Sequence, residues 1–172
     1  MRLAVHAGTL RGFGSGVVGR AILNALRRVE GVDALIVLVP SAWPSSWPEA
    51  DTSAPLAPME VYTLDAGMKA KLLGENLTLR RIIKGERVDA LLSLTDTSLI
   101  ACPVPHVLMV QQGFLAYAKG RLGFKLPPGV QRRFQLMSAY LRLGLRGVDR
   151  VSVQTEHMKR EFCARWGSHP SA

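Results

Sequence analysis

The sequence predicts a doubly wound α/β fold, a parallel sheet with helices on both faces. Three observations predict it. Short, nearly continuous apolar runs recur at "RLAVH" (2–6), "DALIVLV" (33–39), "VDALLSL" (88–94) and "HVLMVQQ" (106–112), as in strands buried on both faces. Helical patterns separate several of these runs, so strands and helices alternate. Glycine- and proline-rich connections fall at the changeovers. With 172 residues, 48% of them hydrophobic, the chain is long enough for one domain with a sizeable core.

The elements follow in order. "RLAVH" is the first strand, and a glycine-rich loop over residues 8–16 follows it. A helix comes next, with Val18, Ile22, Ala25 and Val29 on one face and Gly31 as its stop. "DALIVLV" is the second strand. Residues 40–58 hold five prolines with Trp43 and Trp47 and form a long connection. "MEVYTL" (59–64) is a third strand, and Asp65 can cap a helix that runs, broken near Gly74, to Lys84. "VDALLSL" and "HVLMVQQ" are the fourth and fifth strands, the latter led in by Pro103 and Pro105. A long loop (113–128), a helix (129–146), a sixth strand "DRVSVQT" (149–155) and a helix (156–166) complete a Rossmann-like sheet. No internal repeat stands out. In such sheets ligands sit beyond the carboxyl ends of the strands, where strand order reverses. The loops at 8–16, 95–97, 112–118 and 154–156 all leave such ends.

Charge narrows the partners. With 22 basic and 13 acidic residues, the net charge of +9 favours anionic ligands or surfaces. No zinc-finger spacing and no tract alternating basic with aromatic residues is present, so nucleic acid is not an expected partner. Cys102 and Cys163 have no metal-ligand spacing and are expected as two buried thiols in a reducing compartment. The N-terminus reads as a strand rather than a signal peptide, and no apolar run approaches about 18 residues. The expected location is cytoplasmic, peripheral at the inner face of the membrane.

Gly14, Gly16 and Gly19 spell GxGxxG, yet the dinucleotide fingerprint fails on context. Its first glycine should follow the strand at once, whereas Ala7 to Phe13 intervene here. An acid should close the second strand to hold a ribose hydroxyl, but "LIVLV" is followed by Pro40, Ser41, Ala42 and Trp43. What survives is a loop with open backbone N–H groups before a helix whose N-terminus favours an anion. It is either a phosphate- or sugar-contacting loop or a plain turn.

"GVDRVSVQTEHMKREFCARWG" (147–167) resembles the end of the N-terminal domain in family 4 glycosyltransferases of the GT-B fold. There the sixth strand ends in a Gln-Ser/Thr-Glu turn before a helix with a Met-Lys pair, here Gln154, Thr155, Glu156, Met158 and Lys159. "GFGSGVVGRAILNALRRVEG", "GENLTLRRIIKGERVDALLSLTDTS" and "CPVPHVLMVQQGF" resemble further stretches of that domain in the same order. The resemblance implies one half of a GT-B architecture: residues 1–167 as the acceptor-side domain and 168–172 as a polar tail starting the interdomain linker. A C-terminal donor-binding domain would lie outside this chain. It implies transfer of a sugar, with retention, from a nucleotide-sugar donor to a glycan or lipid-linked acceptor, in polysaccharide, lipopolysaccharide or glycolipid synthesis. Neither a metal nor another cofactor is expected, and the isolated domain should be inactive. The alternative is a non-catalytic α/β module that binds a phosphorylated small molecule through its glycine loop.

By the same resemblance, Gly14, Ser15 and Gly16 approach the donor phosphates, and preorganised N–H groups there would stabilise leaving-group charge. Asp96, Thr97, Gln112, Gly113, Thr155 and Glu156 are the candidate acceptor or sugar contacts. Many family members carry a histidine where this chain has Gln112. An amide can hydrogen-bond a hydroxyl but cannot shuttle a proton at neutral pH, so no catalytic residue is assigned. Gln112 is either a substrate contact or a strand-end amide bonded to nearby backbone. His6 reads as a core histidine, His106 faces away from the rim, and His157 reads as surface. The 129–146 helix sets Gln135, Ser138, Arg142 and Arg146 on one side and Phe134, Met137, Leu141 and Leu145 on another. It is either a docked helix with a solvated face or, with Lys119, Arg121 and Lys125, an interfacial site for anionic lipid.

Overall fold

A computed structural model describes residues 1–8, 13–40, 56–64, 75–97, 99–118 and 127–167. The expectations for Asp65, for the connection at 41–55, for Lys119, Arg121 and Lys125, and for the tail 168–172 lie outside them. The elements are β1 (Arg2–His6), α1 (Phe13–Leu26), β2 (Ala34–Pro40), β3 (Met59–Leu64), α2 (Glu75–Gly85), β4 (Ala90–Ser93), β5 (His106–Val110), α3 (Gly113–Ala116), α4 (Pro128–Gly144), β6 (Arg150–Val153) and α5 (Glu156–Trp166). A 3-10 turn, Leu145–Gly147, follows α4. The fold is α/β, with a six-stranded, all-parallel sheet flanked by helices. The chain divides into two units, Met1–Leu94 and Thr95–Ala172.

In the first unit the strand order is β3-β2-β1-β4. β2 is buried along its whole length, as its unbroken apolar run demands. Order reverses at β1: the chain steps outward through β2 and β3, then returns to β4 on the other side of β1. The ladder runs level past the strand ends, with Ala7 N–H donating to Leu38 C=O (2.7 Å) and Leu94 N–H to His6 C=O (2.9 Å). His6 is buried there. With this strand order, the right-handed rule for parallel crossovers assigns α1 and α2 to opposite faces.

Two expectations for α1 are corrected. The helix begins at Phe13, so Gly14, Ser15 and Gly16 form its first turn and not a loop. Its buried face is Gly19 and Leu23, whereas Val18 and Val29 are 38% and 49% exposed. Apolar residues lie almost all round this segment, so hydrophobicity alone did not single out the face that packs.

In the second unit β5 pairs with β6, Val110 opposite Val153. Leu108, Val110, Leu115, Leu141, Val151, Met158 and Phe162 form one buried cluster, with Met137, Leu145 and Trp166 packed on it. The loop expected after β5 opens instead with the short helix α3. Cys102 and Cys163 are free thiols, half-buried rather than buried.

A recurring device fixes register at the amino ends of the strands. Val32-Asp33, Val88-Asp89 and Val148-Asp149 stand just before β2, β4 and β6, and each valine is buried. Asp89 donates its backbone N–H to Arg2 C=O (2.9 Å), and its carboxylate accepts from Arg2 N–H (2.7 Å). Asp149 does the same to His106, at 2.9 and 2.7 Å. Asp33 donates to Met1 C=O (2.9 Å) and its carboxylate takes the N-terminal ammonium group. Behind Asp89, Glu86 accepts from the Arg2 guanidinium (2.9 Å) and from the Tyr62 hydroxyl (2.7 Å). The Glu86 hydrogen bond, above all, raises the Tyr62 pKa.

The residue before each Val-Asp pair turns the chain. Gly31 has φ +85° and Arg87 φ +50°. Gly147 is needed for space, because a Cβ there would stand 2.9 Å from the Ala101 backbone nitrogen. Left-handed backbone costs a non-glycine residue about 1–2 kcal/mol. Arg87→Gly should therefore raise stability by roughly 0.5–1 kcal/mol, net of the added chain entropy, and Gly31→Ala should lower it by about 1–2 kcal/mol, both read from urea unfolding. Asp149→Ala removes a charge-assisted bond and should cost about 1–2 kcal/mol in the same assay, with Asp149→Asn intermediate.

Candidate functional site

The candidate residues fall at carboxyl ends of strands, in two groups. Gly14, Ser15 and Gly16 belong to the first unit. The first four N–H groups of a helix lack intrahelical partners, and in α1 they are those of Phe13, Gly14, Ser15 and Gly16. They follow β1, the strand at which order reverses. Among the described residues, a Cβ built on Gly16 meets nothing within 4 Å, so none of them blocks close approach to the backbone there.

The second group lies in the second unit, where the chain brings Asp96, Thr97, Gln112 and Gly113 together. Asp96 is 5% exposed, with φ +57°, a left-handed conformation that aspartate tolerates better than most residues. Its carboxylate accepts from two successive backbone groups, Gln111 N–H (2.5 Å) and Gln112 N–H (2.9 Å). Thr95 and Thr97, both buried, share a hydroxyl–hydroxyl bond of 3.1 Å, and the Thr95 hydroxyl also donates to Thr97 C=O (3.0 Å). Asp96 and Thr97 thus spend hydrogen-bonding capacity on shaping the turn.

Gln112 is the N-cap of α3, and its side chain makes no capping bond. The half-buried amide is therefore not consumed by the helix it precedes. Gly113 is tightly packed: a Cβ would stand 3.1 Å from the Tyr117 ring, which would have to give by a few tenths of an ångström. That ring packs 5.5 Å from the ring of His157, which is exposed as expected. His106 is fully buried with Nδ1 3.3 Å from Gly147 C=O, a structural placement at the amino end of β5.

Opposite charge holds the far end of α3. Arg165 donates through Nη1 to the carbonyls of Phe114 (2.7 Å), Leu115 (3.2 Å) and Tyr117 (2.7 Å), and through Nη2 to Ser138 Oγ (2.9 Å). Its guanidinium lies 4.6 Å from the Trp166 ring centre. Burial lowers the Arg165 pKa below the usual arginine value. The segment after β5 is therefore clamped twice, by a carboxylate on its N–H groups and by a guanidinium on its carbonyls. Sequence reasoning did not single out Arg165, one of several cations on a charged helix. The Thr-Asp-Thr stretch carried a turn signal for Asp96, but not its partners.

Thr155 and Glu156 stand at the carboxyl end of β6. Thr155 caps α5, its hydroxyl accepting from Met158 N–H at 3.0 Å, and Glu156 occupies the first turn. A partly open cavity of about 380 Å³ lies here, lined by Gln154, Thr155, Glu156 and Lys159 and backed by Phe162. Thr155 and Gln112 each stand two residues past the paired Val153 and Val110 on neighbouring strands. Amide, hydroxyl, carboxylate and ammonium groups over an apolar wall suit a ligand with many hydroxyls. No family model matches the chain, and no curated protein matches it.

The double clamp makes a measurable claim. Asp96→Ala and Arg165→Ala should each cost about 2–4 kcal/mol, since each strands polar backbone groups that a charge now satisfies. Because both act on one segment, the double variant should cost clearly less than the sum. Urea unfolding of the four proteins in the cycle checks this.

Proposed function

We propose that this chain is the acceptor-side half of a retaining glycosyltransferase. It handles a nucleotide-sugar donor together with a donor-binding domain, and a glycan or lipid-linked acceptor. It works in the cytoplasm, peripherally at the inner face of the membrane. The observation that carries the reading is the placement of the Gln154-Thr155-Glu156 turn. The motif that resembles the glycosyltransferase pattern lies at the carboxyl end of a parallel strand and lines a polar cavity. Gln112 and Gly113 follow the neighbouring strand β5, as the N-cap and first residue of α3. The α1 turn supports it further, because glycines at a helix N-terminus leave amides able to meet a diphosphate.

In this reading Gln112, Gln154 and Glu156 bind acceptor hydroxyls, and Lys159 supplies a cation beside them. Asp96 and Arg165 position the Gln112 segment. The amides of Gly14, Ser15 and Gly16 receive charge as the nucleoside diphosphate departs. No proton shuttle is assigned, and none of these residues needs a metal.

Gly16 offers the test. Open space around its Cβ means that Gly16→Val should leave the melting temperature within about 2 °C, while blocking approach to the amides. In the natural polypeptide that carries this sequence, it should lower nucleotide-sugar turnover about tenfold or more, measured as nucleoside diphosphate released. Failure of the unsubstituted polypeptide to release any, over a panel of uridine- and guanosine-diphosphate sugars with glycan and lipid acceptors, sinks the transferase reading. Phosphate-compound binding that Gly16→Val abolishes, without turnover, would favour the non-catalytic module.

A further inference from the structure

Helix α4 has two faces: one packs inward, and the other carries exposed side chains. Leu141 is fully buried, Phe134, Met137 and Leu145 pack inward, and Ser138 turns in to Arg165. On the other side Leu136 and Leu143 are 55% and 49% exposed. They stand seven residues apart, two turns or about 10 Å along one side of the helix. Arg132, Arg133, Arg142 and Arg146, all exposed, surround them, and "PGVQRRFQLMSAYLRLG" contains no acidic residue.

A solvated helix face normally mixes both signs of charge, with acids and bases paired three or four residues apart. This face keeps only cations, which repel one another, and places two large apolar side chains among them. Both features are unfavourable in water. Both become favourable at an anionic lipid surface, where arginines meet headgroups and leucines enter the acyl boundary. A polyanion such as nucleic acid would satisfy the arginines but gives the leucines nothing.

We infer that the outer face of α4 and the 3-10 turn after it, Leu136 and Leu143 among Arg132, Arg133, Arg142 and Arg146, is the surface through which the protein lies on an anionic membrane. This rests on the peripheral location proposed above but not on the transferase reading. It differs from the face read from sequence: Ser138 is withdrawn from the polar side, and the exposed leucines, not the inward apolar row, provide the insertion.

The test is co-sedimentation of the intact protein with vesicles of phosphatidylcholine alone and of phosphatidylcholine mixed with phosphatidylglycerol. Binding should appear only with the anionic lipid and weaken with salt. Leu136→Gln with Leu143→Gln should lower partitioning about tenfold or more. Arg132→Gln with Arg142→Gln should lower it about fivefold per charge removed. All four positions are exposed, so each double variant should keep the parental melting curve. If the unsubstituted protein binds neither vesicle, the peripheral location and this surface both fall. If it binds anionic vesicles but both double variants bind as tightly, the location stands and the surface is wrong. If only the arginine pair matters, the site recognises polyanions without insertion, and the proposal is overturned.

Discussion

Parallel strands have no hairpin to set their register, so something else must fix where each one starts. In this protein an aspartate does it. Asp89 and Asp149 each engage both the N–H and the C=O of the first residue of the neighbouring strand, and Asp33 does the same to the ammonium group and C=O of Met1, the residue before β1. A slip of one residue would turn every side chain to the opposite face. In a sheet buried on both sides that would empty one layer of the core and overfill the other. The buried valine before each aspartate ties the same point to the core, so polar and apolar contacts agree on one register. Registration at the amino edge leaves the carboxyl edge free of that duty.

The carboxyl edge uses charge differently. After β5 the backbone leaves the ladder, and its polar groups need new partners while partly shielded from water. Asp96 supplies acceptors at the start of α3 and Arg165 supplies donors at its end. That is the polarity a short helix requires, negative at the N-terminus and positive at the C-terminus. A four-residue helix cannot sustain itself in isolation, because it makes too few hydrogen bonds to offset its nucleation. Its existence here depends on the two side chains. Gln112 is thereby held at a fixed place with its amide uncommitted to the cap, as a ligand-contacting group requires.

The parallel α/β fold was legible because fully buried strands leave an unbroken apolar signature. Those runs met β1 and β2 within a residue or two, and α5 was placed to the residue. Legibility failed where packing decides among equivalent choices. α1 carries apolar residues on nearly every side, and the glycine at position 19 lies against the core where a valine was expected. The Val-Asp device leaves little signal in the sequence, because its three copies span only two residues each and are 56 to 60 residues apart. In the candidate site, position after β4 points to Asp96, whereas Gln112, Thr155 and Glu156 are candidates through the family resemblance. Nothing in the sequence marks Arg165, since the carbonyls it binds are 48 to 51 residues away.

The glycine turn changes most between sequence and structure. Read as a loop, Gly14 to Gly16 would offer N–H groups that a ligand must first order, a cost of about 1–2 kcal/mol per residue fixed. Placed in the first turn of α1, the same groups are already aligned along the helix axis. In the proposed function their glycines serve access rather than flexibility. Among the described residues nothing lies within 4 Å of a Cβ on Gly16, so none of them demands glycine there on steric grounds, while glycine inside a helix costs roughly 0.5–1 kcal/mol relative to alanine. In the proposed function, that loss is offset by a ligand that approaches the backbone there, at the point where strand order reverses.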